Sequence, residues 1–277
     1  MKRPYLTAKR LAVLEAGMSA RDRALLADVA RLRLMTGGQI ARLHFGVSES
    51  ARRLARRELA RLVEARLLVR LGRRIGGVRA GSAGYVYGLD VAGQRLARPG
   101  QRRWWPVTTP GEPFLRHVLA VAGVYVELRL AEQTGGFEVV AFEAEPACWR
   151  PYYGPGSERL TLKPDVYVVT VSLGYEDHVF IEVDLATESG PRLAAKARLY
   201  IAYFRSGTEQ ARSGLFPQVL WLVPDQARLS QLVDVLGRLD AAFWRLFAVA
   251  TLDGAVNAIT GADASGPDSG AGRELGS

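Results

Sequence analysis

Apolar residues recur at helical spacing in three segments near the start of the chain. After Ser19 they follow at intervals of three and four, and Asp22 stands where a capping box places an acid, so a helix is predicted to begin there. A short helix is predicted over residues 39–45 and a longer one over residues 49–64, with Ser48 as its N-cap. One side of this third helix is apolar, and the other side is rich in arginine.

Two short apolar segments follow, at residues 67–71 and 85–89, and an Arg- and Gly-rich stretch joins them. Apolar runs on both sides of a glycine-rich turn are typical of a β-hairpin. Three helices followed by a hairpin are the elements of a winged helix-turn-helix domain, which we predict over residues 1–97. Residues 98–113 are rich in Pro, Gly and Arg and are predicted to form a linker.

The second half alternates between helical and strand patterns in the order α-β-β-β-α-β-α. The predicted helices cover residues 113–133, 191–204 and 225–250, the last of them either continuous or broken. The predicted strands cover residues 137–143, 160–171, 178–185 and 218–223. This order is typical of a mixed sheet with helices against its faces, so we predict a two-domain α+β or α/β protein with its second domain at residues 114–252. Residues 253–277 are rich in Gly, Ala, Ser and Asp and are predicted to be a disordered tail.

Charge divides the chain into a basic part and an acidic part. Residues 1–103 carry 23 Lys and Arg against 7 Asp and Glu, whereas the remainder carries 14 against 21. A preference for Arg over Lys is also typical of a GC-rich genome, but that bias does not explain why acids avoid the first hundred residues. The asymmetry therefore favours a polyanion, double-stranded DNA, as the partner of the first half.

The arginines that we predict to contact DNA lie on the third helix and in the wing. They are Arg52, Arg53, Arg56, Arg57, Arg73, Arg74 and Arg79. Arginines on the helix can contact phosphates or guanine edges in the major groove, and those in the wing can reach the backbone or the minor groove. The alternative is that the helix face is only solvated, or that the winged helix contacts another protein.

Composition excludes several classes of function. A single cysteine, Cys148, excludes an intramolecular disulfide and a cysteine-rich zinc site. The chain contains neither a P-loop nor a Gly-x-Ser-x-Gly elbow, and the spacing of His44, His117 and His178 does not indicate a ligand set. Because the sequence shows no membrane-spanning apolar run and no signal-peptide pattern, we expect a soluble, cytoplasmic protein without a membrane partner.

Three carboxylates mark the two central strands of the second half. Asp165 follows Pro164 on one strand, and Glu182 and Asp184 end the next. Side chains two apart on a strand share a face, so Glu182 and Asp184 point the same way, and Asp165 can join them if the strands are neighbours. Clustered carboxylates repel one another unless a cation or a basic group compensates. Mg²⁺ held by Asp165, Glu182 and Asp184 meets this requirement and suits a site that handles phosphodiesters.

The pattern Pro164-Asp165 followed by Glu182-x-Asp184 resembles the PD-(D/E)xK nuclease-like fold. A longer set of residues resembles, more narrowly, the replication-relaxation family, whose proteins accompany actinobacterial plasmids and integrative elements and join a winged helix to such a domain. The resemblance covers roughly residues 19–235. It is carried by Lys163-Pro164-Asp165, the run Glu182-Val183-Asp184-Leu185-Ala186-Thr187-Glu188-Ser189, Arg192-Leu193, Lys196 and Tyr200.

The resemblance implies roles for individual residues. Asp165 and Glu182 match the two metal-binding acids of the nuclease-like motif, but Asp184 stands where the motif has a lysine. Lys196, on the following predicted helix, can project back into the site and supply the charge that a motif lysine gives to the transition state. Asp165, Glu182, Asp184 and Lys196 are therefore the candidate catalytic residues.

Alternatives to a catalytic site stay open. Asp184 can cap the next turn, and Lys196 can form a salt bridge with Glu182 or Glu188. Many domains of this fold keep the sheet and lose hydrolysis, and an unrelated fold is the third possibility. In the catalytic interpretation, Glu188 and Tyr200 complete the rim of the site.

The resemblance implies a DNA-binding protein of plasmid or integrative-element replication or DNA relaxation, with a Mg²⁺-dependent DNA-nicking domain. The alternative is a non-catalytic DNA-binding regulator whose nuclease-like domain forms a homodimer or recruits a replication or mobilisation protein. Metal-dependent cleavage distinguishes the two, because both predict binding to duplex DNA.

Overall fold

The computed structural model describes residues 6–72, 84–98, 100, 108 and 110–261. The chain divides into two compact units, Met1–Val126 and Glu127–Ser277. Within the described ranges, no helix has both the length and the apolar character that crossing a bilayer requires.

The first unit consists of helices and a small antiparallel sheet. Its helices are α1 (Ala8–Ala16), α2 (Ala20–Leu32), α3 (Gly37–His44), α4 (Glu49–Glu64), α5 (Val91–Ala97) and the first part of α6 (Glu112–Glu132). Its strands are β1 (Met35–Thr36), β2 (Leu68–Arg70) and β3 (Val86–Leu89), in the order β1–β3–β2. Three helices, α2 to α4, therefore precede the β2–β3 pair along the chain, which is the predicted order.

Side chains cap the N-termini of α2, α3 and α4 through hydrogen bonds. Ser19 and Asp22 form the predicted capping box at the start of α2, and the Asp22 N–H donates to Ser19 Oγ at 3.1 Å. Ser48 caps α4, which covers the range predicted for the third helix. Thr36 caps α3, so this helix begins at Gly37, two residues before its predicted start.

Helix α6 begins in the first unit and ends in the second. Leu115 and Val118 join a buried apolar cluster of the first unit, and the Tyr125 hydroxyl donates to Asp28 Oδ1 at 2.7 Å. The boundary between the compact units accordingly lies within α6, whereas the sequence predicts a linker at residues 98–113. Helical periodicity shows that a helix has a buried side, but it does not show which unit buries it.

The second unit contains a mixed sheet, helices and a separate hairpin. Its strands are β4 (Glu138–Ala144), β5 (Arg150–Tyr153), β6 (Arg159–Leu162), β7 (Val166–Ser172), β8 (Tyr175–Val183), β9 (Gln218–Val223) and β10 (Phe247–Thr251). Its helices are α7 (Gly190–Arg205), α8 (Thr208–Ser213), α9 (Gln226–Gly237) and α10 (Ala255–Ile259), with 3₁₀ turns at Ala241–Leu246 and Leu252–Gly254. The sheet order is β10–β9–β8–β7–β4, parallel among β8, β9 and β10 and antiparallel elsewhere, and β5 pairs with β6. A mixed α/β fold with a mixed sheet is thus confirmed.

The prediction of a single strand over residues 160–171 is wrong. The segment forms β6 and β7, and Lys163, Pro164 and Asp165 lie between them. Proline has no N–H to donate to a strand ladder, so Pro164 interrupts the pairing. Asp165 consequently lies just before β7 rather than inside a strand.

The prediction of a helix, continuous or broken, that extends over residues 225–250 is also wrong. Helix α9 ends at Gly237, and Phe247–Thr251 form β10, which runs parallel to β9. All residues of β10 except the last are buried. A short, continuous apolar run fits a strand that is buried on both faces as well as it fits a buried helix, and periodicity alone does not separate the two.

The segment that was predicted to be a disordered tail begins with ordered structure. Helix α10 lies within it, and Ala255, Ala258 and Ile259 are buried. The rest of the predicted tail, residues 262–277, lies outside the described residues.

Candidate functional site

The structure brings Asp165 and Glu182 together where β7 begins. β7 and β8 are antiparallel neighbours in which Val166 pairs with Ile181, so Asp165 lies beside Glu182. The Asp165 Oδ2 atom accepts a hydrogen bond from the Val183 N–H at 2.7 Å. Both acids are buried, with 7% and 1% of their surface exposed. Two neighbouring buried carboxylates require a compensating charge or a proton.

Helix α7 covers this pair with a lysine and a tyrosine. Lys196 Nζ lies 2.5 Å from Glu182 Oε2, and the Tyr200 hydroxyl donates to Glu182 Oε1 at 2.5 Å. Lys196 and Tyr200 are four positions apart, which places them on the same face of the helix. The structure therefore forms one of the two salt bridges that the sequence left open for Lys196.

The electrostatics of this cluster keep its lysine charged. Burial raises the pKa of Glu182 well above its usual range, and the Asp165 carboxylate adds to the rise, whereas Lys196 and Tyr200 act in the opposite direction. Burial lowers the pKa of Lys196, but the Glu182 and Asp165 carboxylates outweigh it and the net direction is upward. The Lys196 ammonium is thus the cation that compensates the buried acids.

Asp184 is paired with a different cation. Its Oδ2 atom lies 2.6 Å from Arg228 Nε, and Arg228 Nη2 donates to the Glu188 carbonyl oxygen at 2.6 Å. Arg228 lies in the first turn of α9, and the sequence does not predict this contact because no local pattern connects that turn with the end of β8. The other oxygen of Asp184 is buried and has no hydrogen-bond partner among the described residues.

These contacts do not fit a resident Mg²⁺. Glu182 is engaged through both oxygens, by Lys196 and Tyr200, and Asp184 is paired with Arg228. Across the described part of the chain, no group of three or more His, Cys, Asp or Glu side chains is arranged to hold a metal ion. A divalent cation at Glu182 would have to displace the ammonium, so the chain supplies its own positive charge where the sequence predicts a metal.

The rim that the sequence predicts for this site is only partly exposed. Tyr200 is fully buried, and burial together with Glu182 raises its pKa well above the usual range, so it donates as a neutral phenol. Glu188 is half-buried and contributes its carbonyl oxygen to Arg228. Tyr200 therefore supports Glu182 from inside the fold.

Cys148 reports on the packing beside this cluster. It is fully buried, its Sγ donates to the Pro164 carbonyl oxygen at 2.9 Å, and burial raises its pKa. We expect the native protein to react with a maleimide at least about a hundredfold more slowly than the unfolded chain, because the exposed thiolate is the nucleophile. Mass spectrometry of samples labelled in buffer and in denaturant measures the ratio, and equal rates would contradict the packing described.

A second buried charge cluster centres on Arg150. Its Nε atom lies 3.5 Å from Glu209 Oε2, which also accepts a hydrogen bond from the Tyr203 hydroxyl at 2.5 Å. The guanidinium group lies over the Tyr167 ring, 4.4 Å from its centroid. The sequence does not predict this cluster, because its members lie on separate elements, β5 and α8 among them, without a recognisable spacing. Its charges pair with one another, which is typical of a structural ion pair.

In the first unit, the exposed side of α4 carries four arginines that the sequence predicts to contact DNA. The α4 arginine face consists of Arg52, Arg53, Arg56 and Arg57, all of them exposed. Ala55, Leu59 and Leu62 are buried on the opposite side of the helix. A groove of about 540 Å³ between α3 and α4 borders this face, and Glu49 Oε1 lies 2.9 Å from Arg56 Nη2 there. The predicted wing contacts, Arg73, Arg74 and Arg79, lie outside the described residues.

Residues 26–219 match the family model described as replication-relaxation. The match covers more than two thirds of the chain and includes α4, the paired acids of the sheet and α7. Comparison with curated proteins found no match.

Proposed function

Because the chain belongs to the replication-relaxation family, we propose that it serves the replication or relaxation of a plasmid or related element by binding duplex DNA. Family membership implies the role in replication or relaxation, and the α4 arginine face supports the DNA binding. In this proposal the first unit is a winged helix whose α4 enters the major groove.

The charge and packing of α4 are the main support for this role. The helix buries apolar residues on one side, as a recognition helix requires, and presents four arginines on the other. Glu49 and Glu58 pair with members of the face, yet arginine remains in excess. Exposed guanidinium groups on one helix face provide phosphate contacts and bidentate contacts to guanine.

For the second unit we propose a nuclease-like domain that does not hydrolyse DNA. The contact that carries this proposal is the one between Lys196 and Glu182, because the ammonium compensates the acids that a catalytic Mg²⁺ would bind. The unit then acts as a regulator in which the acids and Lys196 stabilise the packing of α7 on the sheet. Its surfaces are available for dimerisation or for recruiting a replication protein.

Mg²⁺-dependent nicking is the second candidate function. The observation that favours it is the juxtaposition of Asp165, Glu182 and Lys196, which are two acids and a lysine in one cluster. It requires the Lys196 ammonium to leave Glu182, so that the metal binds the acids and the lysine faces the phosphate. No such rearrangement is needed for DNA binding by the first unit.

A plasmid assay tests the proposed function. We expect the wild-type protein to bind duplex DNA with an affinity that falls steeply as salt increases, and to leave supercoiled plasmid intact in millimolar Mg²⁺ or Mn²⁺. Gel shift measures binding, and agarose electrophoresis detects the nicked circle. Nicking that depends on the metal and is lost in Asp165→Asn and Glu182→Gln, while binding persists, would establish the second candidate instead. Salt-independent or absent DNA binding would overturn both.

A further inference from the structure

The outer face of α7 is basic in a unit that is acidic overall. Residues Glu127–Ser277 contain 13 Lys and Arg against 20 Asp and Glu. Helix α7 alone carries four of these cations, Arg192, Lys196, Arg198 and Arg205, and no acid. A solvated helix face usually mixes both signs, with acids four positions from bases. The composition of α7 departs from that pattern.

The helix separates its cations into an inner and an outer set. Lys196 turns inward to the buried acids, on the side where Leu193 and Tyr200 are buried. Arg192, Arg198 and Arg205 are exposed on the outer side. The exposed residues between these arginines are Ala195, Leu199 and Ala202. None of these three side chains carries an acid that would repel a polyanion, and Leu199, which is 54% exposed, is the largest of them.

Two of the outer arginines are free to bind a ligand. The side chains of Arg192 and Arg198 form neither an ion pair nor a hydrogen bond with any part of the chain that the structure describes. Arg205 is different, because its guanidinium group lies over the Phe243 ring, 4.7 Å from the centroid. By contrast, the buried Arg150 and the half-buried Arg228 of the same unit are committed to carboxylates.

We infer that the outer face of α7 is a second contact surface for the phosphate backbone of duplex DNA. The occupant follows from charge complementarity. Arg192 and Arg198 are two unpaired cations whose positions on α7 are about 9 Å apart along the helix axis and about 120° apart around it, so they flank the exposed side of the helix and can contact separate phosphates of a polyanion. The inference rests on the proposed DNA binding and extends it, because it gives the second unit a direct contact with the DNA that α4 holds. One helix then joins the buried acids to the bound nucleic acid.

Salt titration of the full-length chain tests this surface. The variant is Arg192→Gln together with Arg198→Gln, which leaves Arg205 and its ring contact intact. Each lost phosphate contact lowers the slope of log affinity against log salt by about 0.9, so we expect the slope to fall by about 2 and the affinity to fall on the order of tenfold near physiological salt. Fluorescence anisotropy with a labelled duplex measures both quantities.

Two control variants make the result specific. Arg192→Lys with Arg198→Lys keeps the charge and should keep the slope. Arg129→Gln with Arg238→Gln removes the same charge from α6 and from the end of α9, and it should leave the slope unchanged. Thermal unfolding of each variant shows whether the fold is intact, and a midpoint equal to that of the wild type is expected because these side chains are at least partly exposed.

The outcomes separate this inference from the proposed function. A loss of slope in the glutamine variant at α7, but in neither control, supports the surface. An unchanged slope with normal DNA binding overturns the surface and leaves the function of α4 in place. An equal loss in the α6 and α9 control shows a general charge effect and also overturns it. Absence of DNA binding by the wild type overturns the proposed function and, with it, this inference.

Discussion

Replacement of the α4 arginine face by four glutamines weakens the binding of duplex DNA by about a hundredfold to a thousandfold near physiological salt, and lowers the salt slope by up to about 3.6. The reason is counterion release, since each guanidinium group at a phosphate frees a condensed cation from the DNA. The binding of a labelled duplex across a salt series measures both effects. This is the largest change in DNA affinity that we expect from any surface of the first unit.

The fold should survive this change. The four side chains are exposed, and glutamine has nearly the same helix propensity as arginine. Their ion pairs with Glu49 and Glu58 are surface pairs, which contribute little to the free energy of unfolding. Lys9 and Arg10, exposed on α1, provide the control, because glutamine at these positions removes charge from the same unit away from α4. A slope that changes by the same amount per charge removed in both variants, or that changes in neither, would remove α4 from the DNA interface.

Replacement of Lys196 by methionine lowers the free energy of unfolding by about 3 kcal/mol at neutral pH, because it leaves two buried acids without their cation. Methionine keeps the length and packing of the lysine stem, so the loss is mainly electrostatic. Adding Glu182→Gln to this variant removes the uncompensated charge and should restore most of the stability. Urea unfolding of the two single variants, the double variant and the wild type gives the coupling energy between the residues.

The pH dependence of the Lys196→Met variant has a defined sign. The pKa of Glu182 is already raised by burial and by Asp165, and loss of the ammonium raises it further. The folded state therefore holds a proton that the unfolded state releases above the usual glutamate pKa of 4.5. Stability falls as pH rises from that value, by up to about 1.4 kcal/mol per pH unit until the folded pKa is reached. Equal stability at pH 5 and pH 7 would show that Glu182 is not the uncompensated group.

Added Mn²⁺ distinguishes an occupied cation position from a vacant one. The wild type should show no rise in its unfolding temperature, because the ammonium lies at Glu182. The free energy of unfolding of the Lys196→Met variant should rise by RT ln(1 + [L]/Kd) when Mn²⁺ binds at the vacated position, where [L] is the concentration of free Mn²⁺. Stabilisation of the wild type by Mn²⁺, lost in Glu182→Gln, would favour the nicking candidate.

Local signals predicted α2, α3 and α4 of the first unit well, but they did not predict α1 or α5. Ser19, Asp22 and Ser48 act within one turn of their own positions, so their caps depend little on distant residues. The placement of apolar residues on one side of α4 and of arginines on the other is likewise determined within one helix. These signals could not predict which part of the fold α6 packs against, because an apolar stripe on a helix fits any complementary apolar surface.

The pairing of Asp165 with Glu182 could be predicted from the sequence, because side chains alternate along a strand and consecutive strands often pair. The pairing of Asp184 with Arg228 could not be predicted from the sequence. The two residues are forty-four positions apart, and no sequence pattern links residues at that separation. The same applies to Arg150 and Glu209. Side chains that meet through tertiary packing alone leave no periodic trace in the sequence.

The position of Lys196 has an evolutionary consequence. A descendant of this chain that exchanges the lysine alone to make room for a metal first loses about 3 kcal/mol from a protein whose whole margin is on the order of 5–15 kcal/mol. A second coordinated change, or a prior gain in stability elsewhere, would offset this loss. Loss of the Lys196 ammonium is therefore selected against, because it lowers the stability of the protein before any metal is bound.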